Sequence, residues 1–415
     1  MDMNTFRFCV IESLLFLITM SSLSCSDMGK DMVRNNEFKE IVMTKSESEL
    51  TAEVNSFAFD LMDEIVGMPC NDYVCSPFSI ASGLSMIANG AEGITKESLL
   101  DVLGYKNFSI KEVNGYYAKI SEALKGADKT VDFFPANAMW YDEALSIKDD
   151  FTSSLSRSYS AAAHNVDFGK GNATDEINKW YKNHTEGKID KMFDHLNPDV
   201  NLILTNALCF DAAWKTPSFD TKTSKFNHGD GTTSDVVMLF DDLRAAAYNH
   251  TDDFQCLELE YGNGAFVLDL ILPREGLSLS EASEIITDEY WETDLSKLYY
   301  NINVKMEFPK FHISSKDDMT EILSNIGLTD LFSRDADFSG ITDTDLDLAM
   351  FSHACTIDVT EEGTKAASSS GAVFEDPIAP LIDPDATYSF IADRPFMFFI
   401  REKSTGVILF MGKKA

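Results

Sequence analysis

The segment Glu361–Gly371, with the sequence EEGTKAASSSG, constrains what this chain can fold into more than any other segment. After Glu362 its side chains are nearly all small, whereas an ordinary surface strand carries bulky β-branched or aromatic residues. Alternate residues of an extended chain share a face, so Lys365 would lie opposite an uncharged face. The segment fits a flexible linker, and it also fits a strand that enters a sheet without a steric clash. The uncharged face would consist of Thr364, Ala366, Ser368 and Ser370.

Size and charge limit the possible partners. The chain has 415 residues, of which 44% are hydrophobic, and this is enough to bury a sizeable core. The formal net charge is −34 at pH 7, and the acidic residues are spread along the whole chain. A field of this sign repels nucleic acids, heparin-like polyanions and anionic membrane surfaces, so we expect none of these as a partner.

Residues 1–25 are typical of an export signal. Leu14–Met20 is apolar but too short to span a membrane, and Ser21–Cys25 follows with the sequence SSLSC. Leu23–Cys25 resembles a bacterial lipoprotein cleavage box, in which Cys25 would carry the lipid; cleavage without a lipid is the alternative. We therefore expect a protein that is secreted, or anchored to a bacterial envelope as a lipoprotein. Residues 26–51 are polar and predict a disordered lead.

The remaining cysteines are sparse and odd in number, so they do not form a disulfide framework. Cys70 and Cys75 are close enough in sequence to pair, although nothing requires it. The sequence has no CxxC pair and no HExxH motif, so we expect neither a zinc site nor another cofactor. The other three cysteines are Cys209, Cys256 and Cys355, and N-x-[ST] sequons begin at Asn107, Asn172, Asn183 and Asn249.

Hydrophobic periodicity predicts mainly helices early in the chain and strands late. The predicted helices are Glu53–Val66, Ser79–Met86, Lys96–Leu103, Glu112–Leu124 and Asp317–Leu323. The predicted strands are Val200–Phe210, Ala265–Leu272, Asn301–Phe311, Phe396–Ile400 and Val407–Met411, the last two joined by a turn at Glu402–Gly406. Without a linker or repeat after residue 51, the pattern predicts one α+β domain over residues 52–415.

A series of longer motifs carries a family resemblance. They are SPFSIASGLSMIANGAEGIT (Ser76–Thr95), NAMWYDEALSIKDDF (Asn137–Phe151), INKWYKNHTEGKID (Ile177–Asp190), NALCFDAAW (Asn206–Trp214) and FIADRPFMFFIREKSTGVILFMG (Phe390–Gly412). Together with FPKFHISS and LSNIGLTDLFSRDADFSGIT, which precede the last of them, these motifs resemble the serpin family from about Glu53 to Lys413.

The resemblance implies a known architecture and activity. We expect about nine helices, three β-sheets and an exposed reactive centre loop, here about residues 361–389. The implied function is suicide-type inhibition of serine proteases, and no enzymatic activity of its own. The protease cleaves the loop and is held as an acyl-enzyme while the loop inserts into the central sheet as a new strand. The expected partner is thus a serine protease in a covalent complex with a monomeric inhibitor.

Residue by residue, the resemblance also assigns the parts of this device. The hinge of the loop comprises Glu361, Glu362, Gly363, Thr364, Ala366, Ala367 and Ser368. The shutter, a buried polar network under the sheet, comprises Ser76, Ser79, Asn206 and His353. Trp214 matches the tryptophan of the breach, where the loop first enters the sheet. Ala212 departs from the pattern, because many members have glycine there.

The cleaved bond follows from the family's usual hinge length, counted from Gly363. The count gives Pro377–Ile378, but proline is a poor residue for the primary pocket of a protease because its ring fixes φ. We therefore predict cleavage between Ile378 and Ala379. Competing sites are Pro377, Phe374 and Leu381. A branched aliphatic residue suits an elastase- or subtilisin-like protease, and the absence of Lys and Arg between Gly371 and Ile391 excludes trypsin-like ones.

Three alternatives accompany this interpretation. Asp335–Gly340 imitates the start of a calcium loop, but Leu346 stands where a glutamate is needed, so we expect a structural turn. His353 and Cys355 share a face of a strand and suggest a catalytic pair, but without a third orienting group we expect a buried structural histidine. The alternative for the whole chain is a non-inhibitory serpin-fold binding or surface protein, whose loop is only a substrate.

Overall fold

The computed structural model describes residues 36–68, 72–216, 218–364, 383 and 386–415. The helices in this part of the chain are α1 Lys45–Gly67, α2 Pro77–Ala88, α3 Gly93–Val102, α4 Ile110–Ala127, α5 Asp149–Tyr159, α6 Ala173–His184, α7 Leu279–Ile285, α8 Asp288–Tyr290 and α9 Thr320–Leu323. The strands are β1 Tyr73–Cys75, β2 Asp132–Asp142, β3 Ala162–Val166, β4 Leu202–Ala213, β5 Asp220–Asn227, β6 Thr233–His250, β7 Phe254–Tyr261, β8 Phe266–Pro273, β9 Tyr299–Pro309, β10 Phe311–Asp318, β11 Leu348–Val359, β12 Gly363–Thr364, β13 Thr387–Ile391, β14 Phe396–Glu402 and β15 Ile408–Lys414.

The smaller sheet has six strands and holds the candidate site. Its order is β10–β11–β4–β2–β3, and the short strand β12 pairs with the end of β4. Strands β11 and β4 are parallel neighbours, whereas β10 with β11 and β4 with β2 are antiparallel pairs. Nearly every residue of β4 is buried, because both faces of this central strand are covered.

The larger sheet has nine strands in the order β1–β15–β14–β8–β7–β6–β9–β13, with β5 paired to β6. The long strand β6 pairs with β7 near His250 and with β9 along most of its remaining length. Strand β6 therefore joins two groups of strands into one hydrogen-bonded sheet. For this reason the described residues form two sheets where three were expected. The predicted α+β class is confirmed.

Apolar cores lie on both faces of the smaller sheet. Helix α2 is buried along its whole length and packs against β4. Helix α6 covers the opposite face, where Ile177 and Tyr181 join a cluster with Ala207 and Cys209 of β4. Successive side chains of a strand point to opposite faces, so β4 contributes to both cores. The boundary between β4 and β11 thus lies between two packed layers.

Helix α1 corrects the prediction of a disordered lead up to residue 51. It begins at Lys45 and not at Glu53, because Thr44 caps it. The Thr44 Oγ1 accepts from the Glu47 N–H at 3.3 Å, and the Glu47 carboxylate accepts from the Thr44 N–H at 2.7 Å. This reciprocal capping box satisfies two N–H groups that a helix start leaves open. Even before the helix, the Ile41 N–H donates to Ser404 Oγ at 2.9 Å.

Two further boundaries differ from the predicted ones. The alternating run Asn301–Phe311 is split, because β9 ends at Pro309 and Phe311 opens β10. The predicted helix Asp317–Leu323 begins only at Thr320, since Asp318 still belongs to β10 and its carboxylate accepts from the Thr320 N–H at 3.1 Å. Among the described residues, no helix is long and apolar enough to cross a membrane.

Candidate functional site

The boundary between β11 and β4, here called the seam, is the central feature of the site. The two strands are parallel and pair directly from Leu348 opposite Leu202 up to Thr356 opposite Cys209. Above this point β4 continues to Ala213 and changes its partner. There β12 pairs with β4 in the antiparallel direction, Gly363 opposite Ala213 and Thr364 opposite Ala212. The first two residues after the turn from β11 therefore already occupy the upper end of the seam.

A tight turn reverses the chain between β11 and β12. Thr360 and Gly363 form an antiparallel bridge, in which the Thr360 N–H donates to the Gly363 carbonyl at 3.0 Å. Gly363 has φ +110°, and a Cβ at this position would lie 2.5 Å from both Ala213 Cα and the Trp214 nitrogen. Both the torsion and the space require glycine here. The predicted hinge residue Gly363 thus permits the close approach of β12 to β4.

Trp214 lies directly beside this turn. Its indole N–H donates to the Thr360 carbonyl at 2.9 Å, and its backbone N–H donates to the Glu362 carbonyl at 3.4 Å. The indole stacks on the ring of Tyr261 with centroids 4.5 Å apart and an interplanar angle of 11°. The structure therefore places the residue assigned to the breach at the upper end of the seam, in contact with the hinge.

Glu361 ties the turn to the corner between β9 and β10. Its carboxylate lies 2.6 Å from the ammonium of Lys310, and its carbonyl accepts from the Phe219 N–H at 2.9 Å. The hydrogen bond from Lys310 holds the pKa of the Glu361 carboxyl below its ordinary value. The turn is thus held by side-chain and main-chain contacts together.

The four residues assigned to the shutter form one buried network lower in the seam. The Ser76 N–H donates to His353 Nε2 at 3.0 Å, so Nε2 is an acceptor and Nδ1 carries the proton. Nδ1 then donates to Asn206 Oδ1 at 2.7 Å, and Asn206 Nδ2 donates to the Ser79 carbonyl at 2.8 Å. The Ser76 hydroxyl oxygen also accepts from the Ser79 N–H, capping α2. The network therefore joins both strands of the seam to the start of α2.

Asn137 belongs to the same network, although sequence analysis did not find it. Asn206 Nδ2 also donates to Asn137 Oδ1 at 2.6 Å, and the two residues are direct partners across β2 and β4. The available signal was an asparagine in the middle of β2, between apolar residues on both sides. Asn137, Asn206 and His353 thus form a polar row across three strands, which crosses the seam at right angles.

His353 is neutral in the folded chain. It is 2% exposed, and burial lowers its pKa to about 3. No catalytic pair with Cys355 exists, because both ring nitrogens already have other partners and burial raises the pKa of the Cys355 thiol. Cys75 is a free buried thiol, and Cys70 lies outside the described residues.

Asp335–Gly340 forms a structural turn against the end of α2. The Gly340 N–H donates to the Gly90 carbonyl at 3.0 Å, and the Asp337 N–H donates to Thr95 Oγ1 at 2.9 Å. Within the described ranges, no group of three or more His, Cys, Asp or Glu side chains is arranged to hold a metal ion.

Apart from residue 383 and residues 386–389, the rest of the predicted loop lies outside the described residues. This applies to the hinge residues Ala366, Ala367 and Ser368, to the predicted bond Ile378–Ala379, and to the competing sites Pro377, Phe374 and Leu381. Of Thr364 only the backbone is described, and Cys25 also lies outside the described ranges. The chain is described again along β13, which pairs with β9 in the larger sheet. The described residues on the two sides of this gap therefore belong to different sheets, β12 to the smaller and β13 to the larger.

The fold and the site define an α+β protein in which β12 pairs with β4 above the parallel pairs of β4 and β11. A family model described as Serpin (serine protease inhibitor) matches residues 52–415. Iripin-5 of Ixodes ricinus is 31% identical over 382 residues, covering 90% of this chain and 96% of Iripin-5. The chain belongs to the serpin family. Serpins are generally protease inhibitors rather than enzymes.

Solved structures share the same fold. The thermophilic serpin tengpin in its native state matches with a TM-score of 0.79 and 26% identity, covering 92% of this chain and 97% of tengpin. Human thyroxine-binding globulin matches with a TM-score of 0.78 and 26% identity, covering 89% of this chain and 98% of the globulin.

Proposed function

We propose that this protein is a suicide inhibitor of serine proteases that traps its target by inserting the cleaved loop into the seam. The observation that carries the proposal is the antiparallel pairing of Gly363 and Thr364 with Ala213 and Ala212 above the parallel pairs of β11 and β4. A strand that continued from Thr364 in the same direction would run between β4 and β11. It would be antiparallel to both of them.

Insertion would improve the hydrogen bonding of the sheet. It would replace one parallel pairing by two antiparallel ones, and antiparallel pairs are slightly more stable per residue. The residues that follow Thr364 are Lys365 and then small Ala and Ser residues up to Gly371, so little side-chain volume has to be accommodated. The shutter would have to yield, because the contact between His353 and Asn206 crosses the path of the strand.

The chemistry is a race between two steps. The serine of the protease attacks the carbonyl of the residue before the cleaved bond, and an ester forms while the new amino terminus leaves. Water would then hydrolyse the ester and release an active protease. Insertion carries the attached protease away from its approach site, and the trap succeeds when insertion is faster than hydrolysis.

The proposed target is an elastase- or subtilisin-like protease that cleaves between Ile378 and Ala379. A shallow apolar pocket accepts a branched aliphatic residue, and the loop offers no Lys or Arg between Gly371 and Ile391 to a trypsin-like enzyme. Residues 1–25 are proposed to direct export, with a lipid on Cys25 if the source is bacterial. The inhibitor would then meet proteases outside the cell.

A binding protein is the second candidate, because the same fold occurs in human thyroxine-binding globulin. The two functions differ when elastase, subtilisin, chymotrypsin and trypsin are each added to the full chain. An inhibitor gives a complex that survives boiling in SDS, most readily with elastase or subtilisin. A binding protein gives only two cleaved fragments and an active protease. Cleavage should also raise the melting temperature of an inhibitor sharply, and leave that of a binding protein unchanged.

A further inference from the structure

Thr360 has an unusual set of contacts at the turn between β11 and β12. Its hydroxyl accepts from the Glu362 N–H at 3.3 Å and donates to the Gly363 carbonyl. Its backbone N–H donates to the same carbonyl at 3.0 Å, and its carbonyl accepts from the Trp214 indole at 2.9 Å. The side chain therefore closes the turn from inside, while the backbone joins the turn to the breach.

The turn needs this support because its two central residues do not favour it. Tight two-residue hairpin turns prefer positive φ at one or both central positions, which suits Gly and Asn. Neither Glu361 nor Glu362 has a positive φ, and Gly363 supplies the left-handed torsion one residue later. A hydroxyl that accepts from one backbone group and donates to another stabilises such a turn locally.

We propose that Thr360 is a positioning residue for loop insertion, whose hydroxyl sets the register of β12 in the seam before cleavage. Gly363 and Thr364 can pair with Ala213 and Ala212 only if the chain has already reversed at Thr360–Gly363. A closed turn has lost its conformational freedom before the race between insertion and hydrolysis begins. During insertion, each further residue of the loop then pairs with β4 next to a residue that is already paired. This assignment rests on the proposed function.

The test compares Thr360→Val with Thr360→Ser in the full chain. Valine keeps the shape and suits a strand but has no hydroxyl, whereas serine keeps the hydroxyl and loses only a methyl group. The quantities to measure are the number of inhibitor molecules consumed per protease trapped, the rate at which the loop is first cleaved, and the melting temperature. Subtilisin and elastase serve as the proteases.

Each protease trapped consumes one inhibitor molecule plus those lost to hydrolysis, and this excess over one is the ratio of the hydrolysis rate to the insertion rate. Loss of both hydroxyl contacts in T360V should raise the excess about five-fold, since one net hydrogen bond corresponds to roughly that factor in a rate ratio. The rate of first cleavage should stay the same, because cleavage occurs in the loop beyond the turn. T360S should behave as the wild type. A merely structural role would lower the melting temperature and leave the number consumed unchanged, and that result overturns the proposal.

Hydrogen exchange provides a readout that does not require inhibition. In the uncleaved chain the amides of Glu362 and Gly363 should exchange faster in T360V than in the wild type, and T360S should match the wild type. Equal exchange in all three proteins contradicts the assignment. A wild-type chain that traps no protease overturns the proposed function itself. Failure of the Thr360 assignment alone gives a different result, because the wild type and T360V then both trap proteases and do so equally well.

Discussion

Glu361 and Lys310 form an ion pair of 2.6 Å at the base of the hinge, and it connects the turn after β11 to the corner between β9 and β10. Both side chains are more than a third exposed, at 36% and 38%. Solvent screens such a pair, so it contributes at most about 1 kcal/mol. The pair therefore holds the position of the hinge more than it stabilises the fold.

Glu361→Gln should lower the free energy of unfolding by less than about 1 kcal/mol at moderate salt, and by less still at high salt. Urea denaturation measures this, with Glu362→Gln as the matched control because Glu362 is exposed and has no ion pair within the described residues. The pKa of the Glu361 carboxyl is lower in the folded chain than in the unfolded chain. The stabilisation by the ion pair is therefore fully present above the pKa of the unfolded chain, and it is lost as the pH falls through the pKa of the folded chain. If E361Q is still less stable than the wild type at a pH where the carboxyl group of the wild-type Glu361 is protonated, this assignment is contradicted.

His353 should make the chain sensitive to mild acid. Its folded pKa is about 3, against 6.5 as the ordinary value, so below pH 6.5 the unfolded chain binds a proton that the folded chain excludes. The stabilisation is complete above pH 6.5 and decreases by up to about 1.4 kcal/mol per pH unit as the pH falls toward 3. Urea denaturation at several pH values should show the advantage of the wild type over His353→Gln shrinking between pH 6.5 and 4.5. An advantage that is constant over this range would disprove the account.

Asn137→Ala should leave a buried donor of Asn206 without its partner. The expected cost is about 1–3 kcal/mol in the free energy of unfolding, because an unpaired buried polar group loses its hydration without compensation. The control is Asn165→Ala on the neighbouring strand β3, where the asparagine is exposed and a change within about 0.5 kcal/mol is expected. Equal effects of the two substitutions would show that the polar row does not act as a unit.

The sequence predicted the helices and strands that have strong hydrophobic periodicity. It also predicted the polar residues of the shutter, through the resemblance to the serpin family. Strand β4 and helix α2 were recognised because burial and capping leave a clear local pattern. Asn137 was missed because its role depends on a partner far away in sequence, Asn206. Thr360 was missed because its hydroxyl contacts with Glu362 and Gly363 form only in the folded turn, which the sequence did not predict. The start of α1 was missed because its capping box lies within a polar stretch, and polarity alone predicted disorder.

Thr364→Arg should convert the inhibitor into a substrate. Thr364 is paired opposite Ala212 at the upper end of the seam, so the next step of insertion would bury a guanidinium without a partner. Such burial costs several kcal/mol, enough for hydrolysis to win the race. Thr364→Ser is the control and should still trap the protease. Unchanged stoichiometry in T364R, measured by titration of a protease, would rule out insertion through this end of the seam.

The most direct test of the central claim is the intact mass of the products after reaction with an elastase-like protease. The account predicts a covalent complex whose mass is that of protease plus inhibitor, less a released C-terminal peptide that begins at Ala379. A peptide that begins before Ile378 or after Pro380 would contradict the predicted bond. If the inhibitor is found only as cleaved fragments, with the protease at its free mass and fully active, the chain is a substrate and the proposed function is wrong.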